Sequence, residues 1–493
     1  MKTLARNALL PAFLLGLVLI STAAMAGKPN SNRGGKERIP ETFFPTLIGA
    51  TALHQQGITG QGIGVAILDT SIWTFEGVAF TSDHTWRLDQ YYDAVEDFEA
   101  IWAVGAYSGP WPNPDNAGHG SHIAGVMANS EKKNGSAPYN GVAPDVDLII
   151  VRAFGDTGEG SYANVIRGID WIVANKDALN IRVLNLSFSA QPQSHYWDDP
   201  LNQAVMAAWQ AGIVVVASAG NTGPDPMTIG VPGNVPYIIT VGAMSDSVTP
   251  EIADDDYLAS FSATGPTYEG FVKPEIVAPG GHVTAPMSPS SMIATEHPEF
   301  VPEANYFTMS GTSQAAGVVS GVVALMLQAE PWLTPDDVKC RLMVSARPAV
   351  ESDGTLAYSV FQQGAGMVNA YDAVYATETN CANRGLDIGP DLAGSQHYRG
   401  RANQWSDGSY YIDGLNGDGF LWSDGFLWSD GFLWSDGFLW SDGFLWSDGF
   451  LWSDGFLWSD GFMWSDAFVE FDGFLWSDTL TETMSVNVWV EQE

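Results

Sequence analysis

Between residues 44 and 376, unbroken apolar runs alternate with segments of helical period. GVAILDT at 64–70, DLIIVRAF at 147–154, VLNLSFS at 183–189, GIVVVASAGN at 212–221 and YIITVGA at 237–243 are rich in β-branched residues with few polar interruptions. That pattern belongs to strands buried on both faces. Between them, SYANVIRGIDWIVANK at 161–176 and PLNQAVMAAWQAG at 200–212 place apolar residues every three to four positions and predict helices. Strands alternating with helices predict an α/β fold built on a mainly parallel sheet flanked by helices. In such folds the loops after the strands, held by a rigid scaffold, are where chemistry is presented.

The flanks differ in pattern. At the start, Lys2 and Arg6 precede a 13-residue apolar run, Ala8–Ile20, and small residues follow, which predicts an export signal (1–26) cleaved after Ala26. No later run approaches the ~20 apolar residues needed to span a bilayer, so no transmembrane segment is expected in the mature chain. Residues 27–43 form a short polar segment, and 377–418 are rich in Gly, Asp and Asn without a period and are expected to be a linker.

From Gly419 to Asp478 ten hexads follow, seven of them identical GFLWSD units, then GFMWSD, AFVEFD and a last GFLWSD. Six is an even period, so in an extended chain Phe, Trp and Asp keep one face and Gly, Leu and Ser the other. Three readings follow: a weakly ordered tail, a stacked β-like solenoid with calcium bridging the aspartates, or an aromatic strip for attachment to a cell surface or insoluble substrate. In the terminal segment 479–493, the alternation MSVNVWVE from Met484 predicts one more strand.

Charge narrows the partners. Against 20 Lys and Arg the 493 residues carry 57 Asp and Glu, a formal net charge of −37, which repels nucleic acid and anionic membrane surfaces alike. Two cysteines, Cys340 and Cys381, cannot make a disulfide scaffold. An exported chain permits them to pair, and two free thiols are the alternative.

Three segments carry candidate chemistry. Asp69 closes the apolar run 64–69, where a carboxylate is held dry and fixed; His119 stands among glycines before a helical stretch; Ser313 follows Gly-Thr and opens a long apolar helix. A serine hydroxyl needs a base to remove its proton, an imidazole can take that proton and return it, and a buried carboxylate selects the imidazole tautomer. Asn221, after the run 213–219, adds a side-chain amide that with the Ser313 backbone N–H could stabilise an oxyanion.

The Asp-Thr pair at 69–70, HGSHIAG at 119–125, the Ala-Gly-Asn run ending at Asn221 and SGTSQAA at 310–316 resemble the subtilisin family (subtilases) of serine peptidases. The likeness extends over about 44–376. It implies a subtilisin-like, doubly wound peptidase domain and a secreted serine endopeptidase with Asp69 as orienting carboxylate, His119 as base, Ser313 as nucleophile and Asn221 in the oxyanion hole. His122 is then structural. The resemblance further implies that a peptide substrate lies as an added strand between Gly158-Glu159-Gly160 and Ser187-Phe188-Ser189. Its P1 side chain enters a pocket walled by 187–189 and by Ser218, Ala219 and Gly220, with Gly230 near its base and Tyr162 over a further apolar subsite. No acidic residue stands in that pocket, so a broad apolar or aromatic P1 preference is expected.

The chemistry requires no cofactor; structural calcium is allowed for and no metal ligand is assigned. Ser71 and Gly317 depart from the family's usual glycine and proline, and the segment before residue 44 is too short for a separate inhibitory domain of the common kind. Two other functions stay open: a weakly active or inactive peptidase scaffold that binds or adheres through its repeats, and an ester hydrolase. The intact triad argues against the first and the strand-forming substrate segments against the second.

Overall fold

The structure, a computed structural model, describes residues 38–88, 90–103, 106–107, 114–245, 256–412, 483–486 and 490. The export signal, most of 27–43 and the hexads 419–478 lie outside the described residues.

In chain order the strands are β1 (Gly64–Asp69), β2 (Gln90–Asp93), β3 (Phe98–Ala103), β4 (Ala106–Tyr107), β5 (Asp147–Arg152), β6 (Glu159–Ser161), β7 (Ile181–Leu186) and β8 (Val214–Ser218). They continue with β9 (Ile239–Ser245), β10 (Tyr257–Leu258), β11 (Ile276–Pro279), β12 (Val283–Pro286), β13 (Tyr306–Met309), β14 (Ala402–Gln404), β15 (Tyr410–Ile412) and β16 (Thr483–Ser485). Each of the five apolar runs holds one strand of the central sheet, which is ordered β10-β9-β8-β7-β1-β5-β2-β3-β4 with β11 also paired to β9.

From β8 through β7, β1 and β5 to β2 the pairings are parallel, and only the margins turn antiparallel. In β1 every residue is buried, and Val65, Ile67 and Leu68 are at most 1% exposed. Burying each such side chain contributes roughly 1.5–3 kcal/mol, which is why a fully apolar run settles at the centre of the sheet rather than at its edge.

Helices cover the sheet as the periodicity predicts. Tyr162–Asn175 starts at Ser161, whose side chain accepts from Asn164 N–H, and Pro200–Gln210 starts at Asp199, which accepts from the N–H groups of Leu201 and Asn202. Thr312–Ala329 runs against β7, β8, β9 and β11 and beside the helix His119–Ala128. Among the described residues it is the one helix long and apolar enough to cross a membrane, and it is buried in the core.

The stretch expected to be a linker is folded as far as Ile412. Cys381 is bonded to Cys340 of the helix Pro335–Ser345, a short helix spans Ile388–Leu392, and β14 pairs with β15 as a hairpin. Asp391, fully buried, accepts from the hydroxyls of Tyr196 at 2.7 Å and Tyr237 at 2.9 Å. These partners lie more than 150 residues away in sequence, so no local period marks the segment as part of the core.

Candidate active site

Because the central strands are parallel, their carboxyl ends share one edge of the sheet, and the candidate residues collect there. Asp69 is the last residue of β1, Ser187 follows β7, and Ala219 to Asn221 follow β8. His119 and Ser313 each stand in the first turn of a helix, His119–Ala128 and Thr312–Ala329.

His119 Nδ1 lies 2.8 Å from Asp69 Oδ1 and 3.0 Å from Oδ2, with both residues 1% exposed. An ionised carboxylate only accepts, so Nδ1 carries the proton and Nε2 keeps its lone pair for a neighbour. Burial pulls the His119 pKa down, but the charge and hydrogen bond of Asp69, assisted by Asp115, outweigh it and hold the imidazole above its ordinary value. His122, one turn along the same helix, lacks such a carboxylate. Burial drives its pKa down to about 3, and its Nε2 meets the Phe307 carbonyl at 3.1 Å, which fits the structural role expected of it.

Asp115 joins the site although no motif marks it. This buried carboxylate accepts from Thr70 Oγ1 and Gly118 N–H on one oxygen, both at 2.8 Å, and from Ser121 N–H at 2.7 Å and Ser121 Oγ at 2.6 Å on the other. Thr70 Oγ1 in turn accepts from Gly120 N–H at 2.9 Å, and Thr70 N–H donates to Asp69 Oδ1 at 2.7 Å. The start of the His119 helix is thereby tied to the end of β1. An Asp three residues before a Gly-led helix start was the available signal. Ser71, where glycine is usual, takes φ 135°, in the region that favours glycine. Its side chain hydrogen-bonds Tyr91, which offsets part of a backbone cost of about 1–3 kcal/mol.

Ser313 Oγ donates to the Ser187 carbonyl at 3.0 Å, and the Ser187 hydroxyl donates to the Ser313 carbonyl at 3.0 Å. Among the described residues no hydrogen bond joins Ser313 Oγ to His119. Asn221 is oriented by Thr312, whose N–H and hydroxyl approach its Oδ1 at 2.9 and 2.8 Å. The backbone N–H can only donate, so the atom facing it is the oxygen and the amide NH2 is turned to the other side.

Beside these groups opens a pocket lined by Phe188, Ser189, Ser218, Gly220 and Gly230 together with Asn221 and Ser313, with no acidic residue among its lining. A Cβ on Gly230 would come within 1.9 Å of Ser189 Oγ, so glycine keeps the pocket open. Ala219 is not among its lining and packs with Ile229 and Ala263. Tyr162 is buried with its hydroxyl 3.3 Å from Asp199 Oδ2 and does not line the pocket. Gly158 immediately precedes β6 and Gly160 is its middle residue. Among the described residues no group of three or more His, Cys, Asp or Glu side chains is placed to hold a metal ion, and the aspartate-rich hexads lie outside them.

The sequence profile of the subtilase family, peptidase S8, matches residues 60–366. Serine protease AprX of Bacillus subtilis (strain 168) is 38% identical over 324 residues, covering 65% of this chain and 67% of that one. Subtilisin DY of Bacillus licheniformis is 30% identical over 325 residues, 66% of this chain and 94% of its own. Among solved structures, fervidolysin from Fervidobacterium pennivorans, described as a keratinolytic enzyme related to subtilisin, aligns with a TM-score of 0.53 at 25% identity, over 68% of this chain and 46% of that one. The matched stretch contains Asp69, His119, Asn221 and Ser313 in the fold just described, and the chain belongs to the subtilase family, a membership that supports a serine peptidase function.

Proposed function

We propose that the chain is a secreted serine endopeptidase that cleaves peptide bonds through an acyl-enzyme on Ser313. The observation that carries this reading is the buried Asp69–His119 pair at 2.8 Å, with Nε2 left as the free base, at the strand edge where Ser313 and Asn221 also stand. Ser313 Oγ turns from the Ser187 carbonyl towards His119, gives up its proton to Nε2 and attacks the substrate carbonyl. The oxyanion is stabilised by the Asn221 amide, which Thr312 turns away from itself, and by the Ser313 N–H at the positive end of its helix. His119 then returns the proton to the leaving amine. Water then enters, gives a proton to His119 Nε2 and attacks the acyl ester, and His119 returns that proton to Ser313 Oγ as the acid leaves, so these side chains and water complete the reaction with no cofactor.

Substrate main chain adds to β6 along Gly158–Gly160, and the pocket over Gly230, free of acidic side chains, favours apolar or aromatic P1 residues. Export is supported by the Cys340–Cys381 bridge, a bond that persists in oxidising compartments. The hexads 419–478 are assigned attachment to surfaces or insoluble substrate, outside the catalytic step.

The test is Ser313→Ala. Casein hydrolysis and fluorophosphonate labelling are expected to vanish, a loss of ~10⁶ in kcat, while the circular dichroism spectrum is kept. Equal casein cleavage by the two forms refutes the assignment.

A further inference from the structure

The edge on which a substrate would be laid is already paired. β16 runs antiparallel to β6, with Thr483 opposite Ser161, Met484 opposite Gly160 and Ser485 opposite Glu159. Val486 N–H continues the ladder by donating to the Gly158 carbonyl at 2.9 Å. The next side chain along the strand thus reaches the nucleophile's neighbourhood, for Val486 lines the same pocket as Ser313, Asn221, Gly220 and Gly230. Met484 and Val486 share one face by the two-residue period of a strand, and they are 4% and 7% exposed. Three properties of a bound peptide coincide here: main-chain pairing to the edge, alternate apolar side chains buried, and a chain that runs towards Ser313.

We infer that the C-terminal segment Thr483–Val486 is a built-in pseudo-substrate that occupies the acyl side of the cleft and holds the enzyme closed. The inference rests on Ser313 being the nucleophile of a peptidase. Its tether is the stretch between Ile412 and Thr483, which contains all ten hexads. Because the segment and the cleft belong to one chain, the competition is intramolecular and independent of protein concentration. An intramolecular competitor lowers the fraction of open clefts, so it raises the apparent KM and leaves kcat unchanged at saturating substrate.

The experiment uses the full chain with Val486→Pro, which removes the donor to Gly158, and separately Met484→Asp, which puts a charge at a buried position. A short chromogenic peptide with an apolar P1 residue is the substrate. Both variants are expected to show KM lowered by about tenfold or more with kcat unchanged, and faster fluorophosphonate labelling of Ser313 than wild type. A synthetic peptide of residues 479–493, added to Met484→Asp, is expected to inhibit competitively. Unchanged KM and labelling rate in both variants, with hydrolysis still present, overturn the pseudo-substrate and leave the peptidase reading intact. No hydrolysis and no labelling in any form overturns both. An intact-mass measurement closes the remaining route: wild type cut within 483–493 while Ser313→Ala stays whole makes the segment a substrate and overturns its inhibitory role.

Discussion

Replacing Asp115 by asparagine removes one charge and turns one acceptor into a donor while keeping the shape of the side chain. If the amide oxygen keeps Thr70 Oγ1 and Gly118 N–H, each at 2.8 Å, the new NH2 faces Ser121 N–H, which had donated at 2.7 Å. The Ser121 hydroxyl, which accepts from Trp73 N–H at 2.8 Å, can turn its proton away and accept from the new NH2 on its second lone pair, but the Ser121 backbone N–H can only donate and is left without its acceptor. One buried donor left facing another costs about 1–3 kcal/mol, and losing an anion at a helix N-terminus adds about 0.3–1 kcal/mol. Asp115 is 3% exposed, so solvent does little to relieve either cost. The expected loss of unfolding free energy is about 1–4 kcal/mol.

The same substitution acts on catalysis with a definite sign. Burial, which pulls the His119 pKa down, is unchanged, while one of the charges that raise it is gone. The imidazole therefore loses its proton at lower pH, and the acid limb of kcat/KM moves to lower pH. The assay pairs urea unfolding, followed by Trp fluorescence in a Ser313→Ala background to prevent self-digestion, with a pH profile of kcat/KM from the active form. An Asp115→Asn protein with an unchanged unfolding midpoint and an unmoved acid limb would refute the claim that this carboxylate secures the His119 helix to β1.

Asn221→Ala is expected to lower kcat by about 10²–10³ with KM nearly unchanged, the range known for the equivalent donor in subtilisin itself, and a pure KM effect would remove Asn221 from the oxyanion site. Two glycines of the Thr312–Ala329 helix should respond in opposite directions to alanine. At Gly317 the added Cβ would sit 3.4 Å from Ile123 Cγ2, ordinary contact, so the helix gains about 0.5–1 kcal/mol, whereas at Gly321 it would meet Val142 Cβ at 2.7 Å and cost about 1–3 kcal/mol, both read by urea unfolding. Replacing Cys340 and Cys381 by alanine releases a cross-link between residues 41 apart in sequence, and chain entropy predicts a loss of about 4 kcal/mol, tested by comparing denaturation midpoints of the oxidised protein and the double variant.

Local pattern determined much of this protein. The five apolar runs became strands of one sheet, the two helical periods became helices with caps at Ser161 and Asp199, and the alternation from Met484 became a strand at Thr483–Ser485. Asp69, His119, Asn221 and Ser313 were legible because each sits at the end of a strand or the start of a helix, where a short motif holds both the side chain and its backbone setting. What the tertiary structure decided lies in pairings between distant residues. Asp391 on Tyr196 and Tyr237 turns an aperiodic stretch into part of the core, and Asp115 binds a helix start to Thr70, 45 residues earlier. Tyr162 is buried with its hydroxyl beside Asp199, 37 residues further on, and β16 pairs with β6, more than 300 residues earlier. A local window encodes how often a side chain meets the interior, which fixes strand or helix. It does not encode which surfaces meet, because that depends on the summed burial and hydrogen bonding of segments hundreds of residues apart.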